Sequence, residues 1–311
     1  MQHAFNKHQQ GFTLLELLVV ITLLAVLSVG ALVAYEGVGD SASATAQANN
    51  TVSTDRAIRN FRAITGGYPT QWDVLSVQAD GSALAALADD TKTAFGDVLV
   101  DGTNTAQAAI FASLEDAGIK DLQFVVSQGT VQPNLMHNEG ANPTVPAAAT
   151  LATATGGAVE DDLDQAVHLS FVPAGTGCTA GGKSIATAYG VAGFIQPTLV
   201  QASANLNKIN DSLSSGLCHL VVALGFGHDA AHSTFDSSVA IASAPTFTSK
   251  NINPANNYAR YLGLFHVGTA TSGTDVGAVA TDIKAVARLI AVVGADGKAI
   301  DEALAAATAA Q

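Results

Sequence analysis

Cysteine is scarce in this chain, and aromatic and charged residues are few. Two cysteines in 311 residues exclude a disulfide-rich scaffold and a four-cysteine zinc site, although they suffice for one bridge. Charged residues make up only 13% of the chain, with 13 lysines and arginines against 26 aspartates and glutamates. The formal net charge of −13 argues against non-specific binding to DNA or to anionic lipid, while a basic partner or a divalent cation stays compatible with it.

Apolar residues, in contrast, make up 48% of the chain, which excludes wholesale disorder and suffices for a sizeable core. The longest apolar run is residues 12–34, FTLLELLVVITLLAVLSVGALVA, in which Glu16 is the one ionisable residue. As a helix this run spans roughly 34 Å, enough to cross a bilayer core of about 30 Å. The run is too long for the apolar region of a secretory signal, and no clear small-residue cleavage site follows it, so we expect it to be retained.

The flanking charges predict how this run is oriented. Lys7 precedes it, whereas Glu36 and Asp40 follow it, and this bias places the N-terminus in the cytoplasm and the bulk of the chain outside. Glu16 lies about one turn into the run. A lone carboxylate in hydrocarbon is costly, needs a partner and is a functional residue by default.

The segment GFTLLELLVVITLLAVL, preceded by a short polar leader that ends in Gly11, resembles the prepilin signal of the type IV pilin and type II secretion pseudopilin superfamily. The resemblance implies that a prepilin peptidase cleaves between Gly11 and Phe12 and that the new Phe12 amine is N-methylated. It also implies that Glu16 pairs with the N-terminal ammonium of a neighbouring subunit. Leaving a buried charge without its partner costs on the order of 3–5 kcal/mol, which agrees with such a pair. The alternative is an ordinary signal anchor with a stray glutamate.

The resemblance further implies a leader peptide at 1–11, a stem helix at 12–65 that is transmembrane over 12–34, and an extracytoplasmic globular head at 66–311. It implies a structural subunit that leaves the inner membrane through an assembly platform and self-assembles with other pilins into a helical filament, as a periplasmic pseudopilus or a cell-surface pilus. The alternative is a minor or tip pilin whose head binds a surface, a secreted substrate or a metal. Neither enzymatic activity nor direct nucleic-acid binding is expected.

Beyond the apolar run, the pattern predicts a hinge and then an amphipathic helix. Residues 35–48 are small and polar and include Gly37 and Gly39, each of which costs about 1 kcal/mol in a helix interior. From residue 51 onward, Ala57, Phe61 and Ile64 form an apolar stripe with helical spacing.

An arginine row, Arg56, Arg59 and Arg62, follows another face of this predicted helix. One interpretation is an ordinary solvated face. The other is a contact with the acidic head surface of the next subunit.

The head has the pattern of an α+β fold, and we expect an antiparallel sheet with helices on one side and the stem packed beneath it. The segment 66–75 predicts a turn and a short packed element, and 296–311 predicts a turn followed by a helix. Residues 132–157 predict a long loop and 197–213 a further helix. Strand patterns occur at 122–126, 166–172, 217–226, 258–267 and 287–294.

Cys178 and Cys218 both lie outside the cytoplasm by the topology argument, where disulfides persist. A bridge between them would contribute roughly 4 kcal/mol in the chain-entropy model. The alternative is that Cys218 is a buried small apolar residue in its strand while Cys178 lies free in a glycine-rich loop.

Two sets of residues have metal-binding character, although we expect no cofactor. His228 and His232 have the i, i+4 spacing that chelates zinc on a helix, but their glycine-rich surroundings favour a loop. The acidic run EDDLD at 160–164 offers oxygen ligands for calcium without the spacing of a calcium loop, so a solvated turn is the simpler interpretation. Residues 177–184 fit a phosphate-loop pattern, which we attribute to chance in a glycine-rich, extracytoplasmic chain.

Overall fold

A computed structural model describes residues 13–94, 96–100, 102, 105–127, 151–154, 156–171, 218–226, 247, 249, 251–270 and 283–309. A long helix is followed by a mixture of strands and shorter helices, which confirms the predicted α+β class. In chain order these elements are α1 (Leu14–Thr65), β1 (Trp72–Val77), α2 (Asp89–Ala94), β2 (Gly96–Val100), α3 (Thr105–Asp116), β3 (Asp121–Ser127), β4 (Gly157–Asp162), β5 (Val167–Phe171), β6 (Cys218–Phe226), β7 (Tyr261–Ala270), β8 (Ile283–Val293) and α4 (Ile300–Ala309).

Helix α1, called the stem below, runs for 52 residues. It begins after Thr13, whose hydroxyl accepts a hydrogen bond from the backbone N–H of Glu16. It ends at Gly66, which adopts the left-handed conformation and donates its N–H to the Arg62 carbonyl. The predicted hinge is wrong as a break in this helix, because the stem is helical through Gly37 and Gly39. The alanine-rich sequence after the glycines favours helix, and α4 packs against the stem.

The eight strands of the described residues form one sheet. This sheet and the elements packed on it are called the head below. Their order is β2-β5-β6-β1-β3-β4, with β7 beside β6 and β8 beside β7. All pairs are antiparallel except β1 with β3, which is parallel. The sheet is therefore mixed rather than antiparallel throughout. The parallel pair forms because the chain crosses over through α2, β2 and α3 between these two strands.

The predicted strand patterns are confirmed as β3, β5, β6, β7 and β8 with shifted ends, and the predicted C-terminal turn and helix as α4. The expectation of an acidic turn at 160–164 is wrong for residues 160–162, which lie in β4 and pair with β3. Strand propensity misses this segment because acidic residues are rare in strands, and the pairing with β3 overrides that preference. The predicted helix at 197–213 lies outside the described residues.

The stem packs against the head through a stripe that includes Phe61, as predicted, but not Ile64. Ile58 and Phe61 are buried together with Trp72 and Phe265 of the head, whereas Ile64 is 79% exposed. Thr51 and Thr54 extend the buried stripe along the stem. The apolar pattern misses Thr51 and Thr54 because both are small polar residues that are buried only by tertiary packing.

Candidate functional site

The first candidate site is the exposed apolar end of the stem. Leu14–Leu32 has a mean hydropathy of 2.6, and none of it is buried against the head. Among the described residues it is the one helical segment long and apolar enough to cross a membrane. Its leucines and valines are half exposed or more, so this segment requires lipid or other apolar helices around it.

Glu16 lies in the first turn of this segment and its carboxylate contacts Thr13. Both the backbone N–H and the hydroxyl of Thr13 donate to Oε2 of Glu16, at 2.9 and 3.0 Å. The Glu16 N–H in turn donates to the Thr13 hydroxyl at 3.3 Å, which completes a capping box. The box fixes the carboxylate close to the N-terminal end of the helix. The predicted processing residues, Gly11 and Phe12, lie outside the described residues.

The second candidate site is the arginine row, Arg56, Arg59 and Arg62, on the part of the stem beside the head. Arg56 is exposed. The Arg59 Nε donates to both carboxylate oxygens of Asp55, at 2.8 and 3.0 Å, and this hydrogen bonding raises the pKa of Arg59 further above its usual range. Arg59 therefore keeps its positive charge at every physiological pH.

Arg62 connects the row to the head. Its Nη1 donates to the Tyr68 hydroxyl at 2.6 Å, and its guanidinium lies 4.6 Å from the centre of the Tyr68 ring. The same hydroxyl accepts the backbone N–H of Leu289 in β8 at 3.0 Å. Arg59, Arg62, Ala63 and Tyr68 line an open groove of about 310 Å³.

A buried hydrogen bond also fixes the stem to the head at a position closer to the apolar end of the stem. The Gln47 side-chain amide donates to Oδ2 of Asp296 at 2.9 Å, and both residues are buried. Asp296 lies in the turn between β8 and α4, and its other carboxylate oxygen accepts the Lys298 N–H at 3.2 Å. Together with Tyr68, this contact holds the stem and head as one unit.

Sequence reasoning missed a buried ionic cluster in the head. Asp73 in β1 is fully buried, and both its oxygens accept hydrogen bonds from Nη1 of Arg260, at 2.8 and 2.6 Å. The Tyr258 hydroxyl donates to Oδ2 of Asp73 at 2.6 Å. Gly225 on the neighbouring β6 leaves room for this hydroxyl, because a Cβ there would clash with it. The available signal was an aspartate inside an otherwise apolar strand.

The remaining predicted site residues are not brought together within the described residues. Cys218 lies in β6 opposite Ala270, and Cys178 lies outside the described part, so the disulfide stays a prediction. His228, His232 and the segment 177–184 also lie outside it. No group of three or more histidine, cysteine or acidic side chains suited to a metal occurs among the described residues.

The comparison with protein families gives a specific result at the N-terminus. Residues 6–32 match the prokaryotic N-terminal methylation motif, which is the prepilin-type signal of type IV pilins and pseudopilins. The match spans the predicted processing site and the apolar part of the stem. It supports a processed subunit of the pilin or pseudopilin kind that is anchored in a membrane before assembly. No curated protein and no solved structure matches the chain.

Proposed function

We propose that this chain is a structural subunit of a type IV pilus-like filament or of a type II secretion pseudopilus. The observation that carries the proposal is the methylation motif on the exposed apolar end of a continuous helix. The other half of the same helix packs one face against the head. One end is thus suited to lipid or to packing with like helices, while the other holds a folded domain outside.

The proposal includes processing at the N-terminus. A prepilin peptidase removes residues 1–11 by cleaving between Gly11 and Phe12, and the new Phe12 amine is methylated. The support is the position of the motif, which begins at residue 6 and continues through the apolar run. The mature chain then begins directly before the Thr13 cap of the stem.

Glu16 is the residue through which assembly is directed in this proposal. Both hydrogen bonds from Thr13 are accepted by Oε2 of Glu16, so Thr13 makes no demand on Oε1. A carboxylate accepts several hydrogen bonds at once, and Oε1 can take the Phe12 ammonium of a neighbouring subunit. In a bundle of apolar helices this pair neutralises two charges that are each costly alone.

The proposed location follows from the same features. The subunit is held in the inner membrane by Leu14–Leu32, with its N-terminus in the cytoplasm and its acidic head outside. An assembly platform then transfers it, with other pilins, into a periplasmic pseudopilus or a cell-surface filament. The role is structural and requires no catalytic residue.

Mass spectrometry of filaments sheared from the cell surface, or of a pseudopilus preparation, tests this proposal. We expect the chain among the most abundant proteins, with an N-terminal peptide that begins at methylated Phe12. Abundance far below that of another pilin would indicate a minor or tip subunit instead. A chain that keeps residues 1–11 and is absent from filaments would contradict the proposal.

A further inference from the structure

We propose that the arginine row of the stem docks against an acidic surface at the distal end of the head of a second copy of this chain. This inference rests on the proposed function, because it describes how neighbouring subunits contact each other in the filament. The acidic surface, called the acidic end below, consists of Glu115, Asp116, Asp162 and Asp164.

The fold gathers these four residues, which come from two separate segments, at the end of the head where the stem terminates. Glu115 and Asp116 end α3, and the Ala117 carbonyl that follows accepts the Tyr68 N–H at 2.6 Å, directly after the stem. Asp162 pairs with Asp121, the first residue of β3, and the Asp121 carbonyl accepts the Gln71 N–H shortly after the stem.

Asp164 completes this surface, since a Cβ on Gly102 would touch both its carbonyl and the Phe111 ring of α3. All four acidic residues are exposed. Lys120 is an exposed cation in the same region, so the carboxylates outnumber it.

The arginine row is the complementary surface on the stem. Its members follow each other at i, i+3 spacing, so they lie along one side of the helix. Arg56 and Arg59 are exposed, and Arg62 lines the groove beside Tyr68 that is wide enough for a carboxylate side chain. In a chain with 13 basic residues and a net charge of −13, three arginines within seven positions are an unusual concentration of positive charge.

The row and the acidic end of one molecule lie at different heights along the stem, which favours a contact between two copies. The acidic end is level with Gly66, whereas Arg62 and Arg56 lie about 6 Å and 15 Å closer to the membrane at 1.5 Å per residue. A second copy displaced outward by about 6 Å brings its Arg62 level with the acidic end of the first, and a displacement of about 15 Å does the same for Arg56.

The proposed pair at the N-terminus requires a displacement in the same direction. Phe12 lies four residues before Glu16, so its ammonium reaches the Glu16 of a neighbour when its own subunit is displaced outward by about 6 Å. An outward shift of about 6 Å therefore satisfies the proposed pair in the membrane segment and brings Arg62 level with the acidic end, while Arg59 and Arg56 follow along the same side of the helix. Both proposed contacts need a displacement in the same direction, which favours a second copy over an unrelated basic or acidic partner.

Charge reversal in full-length chains, expressed in the native cells, tests this contact. We expect the double variant Arg56→Glu, Arg59→Glu to lower the yield of sheared filaments at least tenfold relative to the chain retained in the membrane. Asp116→Lys with Asp162→Lys should lower it similarly, and the combination of all four substitutions should restore at least half of the wild-type yield. Restoration is the result that a merely structural role of either surface would not give.

Two controls separate docking from other effects. Asp55→Asn breaks the same pair within the stem as Arg59→Glu but leaves the row basic, and it should assemble normally. Lys284→Glu with Arg288→Glu makes an equal charge change on exposed residues of β8 and should also assemble normally. The fluorescence of Trp72, the single tryptophan, verifies that each variant is folded.

Each remaining outcome decides against the docking. Normal filament yield from the arginine variant, with the wild-type chain present in filaments, would overturn the docking and leave the proposed function intact. Loss of filaments that the combined variant does not restore would also overturn it. If the wild-type chain is absent from filaments, the proposed function fails, and the docking between subunits fails with it.

Discussion

At the scale of single residues, the head depends on an ion pair that lies almost wholly out of water. Asp73 is fully buried and Arg260 is 7% exposed. Removing one partner of such a pair leaves an uncompensated charge in the core, which is far costlier than replacing both partners by apolar side chains. We expect Arg260→Met to lower the free energy of unfolding by about 3–5 kcal/mol. Urea denaturation of the full chain in detergent micelles, followed by Trp72 fluorescence, measures this change.

The control for this prediction is Arg288→Met, which removes an exposed arginine from β8 and should cost under about 0.5 kcal/mol. The double variant Asp73→Leu, Arg260→Met should be more stable than Arg260→Met alone, since it leaves no buried charge. Equal destabilisation by the single and the double variants would contradict this account.

Tyr261 gives the head a dependence on alkaline pH. Burial raises the pKa of Tyr261 to about 12, with the nearby Thr54 hydroxyl opposing part of the rise. Its hydroxyl has no hydrogen-bond partner of ordinary geometry among the described residues. The unfolded chain releases this proton near pH 10 and the folded chain only near pH 12. The free energy of unfolding therefore falls progressively from pH 10 to pH 12. Below pH 10 Tyr261 is protonated in both states and adds no pH dependence to the stability.

We expect the wild-type chain to lose about 1–2 kcal/mol more than Tyr261→Phe between pH 10 and pH 12, after allowance for solvent screening. Urea titrations at a series of pH values measure this difference. Tyr35→Phe, which alters a tyrosine that is 80% exposed on the stem, should behave as the wild type. Parallel pH profiles of the wild type and Tyr261→Phe would disprove the assignment.

At the scale of elements, the junction between stem and head depends on two glycines with positive φ. Gly118 has a φ of 103°, and a Cβ there would lie 2.7 Å from the Tyr68 carbonyl oxygen and 2.9 Å from Gly67. Gly66 has a φ of 85°, with open space where its Cβ would be. The two positions thus share the backbone conformation and differ in the close approach.

We expect Gly118→Ala to lower the free energy of unfolding by about 3 kcal/mol, because backbone strain and a clash with backbone atoms add together. Gly66→Ala is the matched control and should cost about 1 kcal/mol from the left-handed conformation alone. Denaturation followed by Trp72 fluorescence measures both values. A Gly118→Ala variant no less stable than Gly66→Ala would show that the approach of the two turns is not close in solution.

The elements that local pattern predicts best are those in which one periodicity covers the whole segment. The apolar run and the strands β6 and β7 are of this kind. The stem stripe is predicted only in part: Phe61 is buried as expected, whereas Thr51 and Thr54 are buried by tertiary packing, which no local pattern shows. The parallel pairing of β1 with β3 depends on the crossover between them and not on either strand's sequence.

At the scale of the whole molecule, the N-terminal motif and the apolar segment, on which the proposed assembly depends, were the features most predictable from sequence. The methylation motif and the apolar segment are contiguous, so their spacing is visible in the chain itself. The Asp73 and Arg260 pair joins residues 187 positions apart, and the Gln47 and Asp296 contact joins residues 249 apart. Such pairs depend on how the chain folds back onto the stem, and no local signal identifies the partners.

In the proposed filament the stem and the head act together, and Glu16 offers the most direct test of the proposed pair with Phe12. In that pair, an unpaired Phe12 ammonium among apolar helices would cost on the order of 3–5 kcal/mol, equivalent to a loss of about 10² to 10⁴ in the equilibrium constant of assembly. We expect Glu16→Ala to lower filament yield by at least 100-fold while the level of the chain in the membrane and the Trp72 fluorescence stay unchanged. Asp40→Ala removes a carboxylate from the same helix outside the apolar segment and should assemble normally. Assembly of Glu16→Ala at the wild-type level would show that the carboxylate serves only to cap the helix through Thr13.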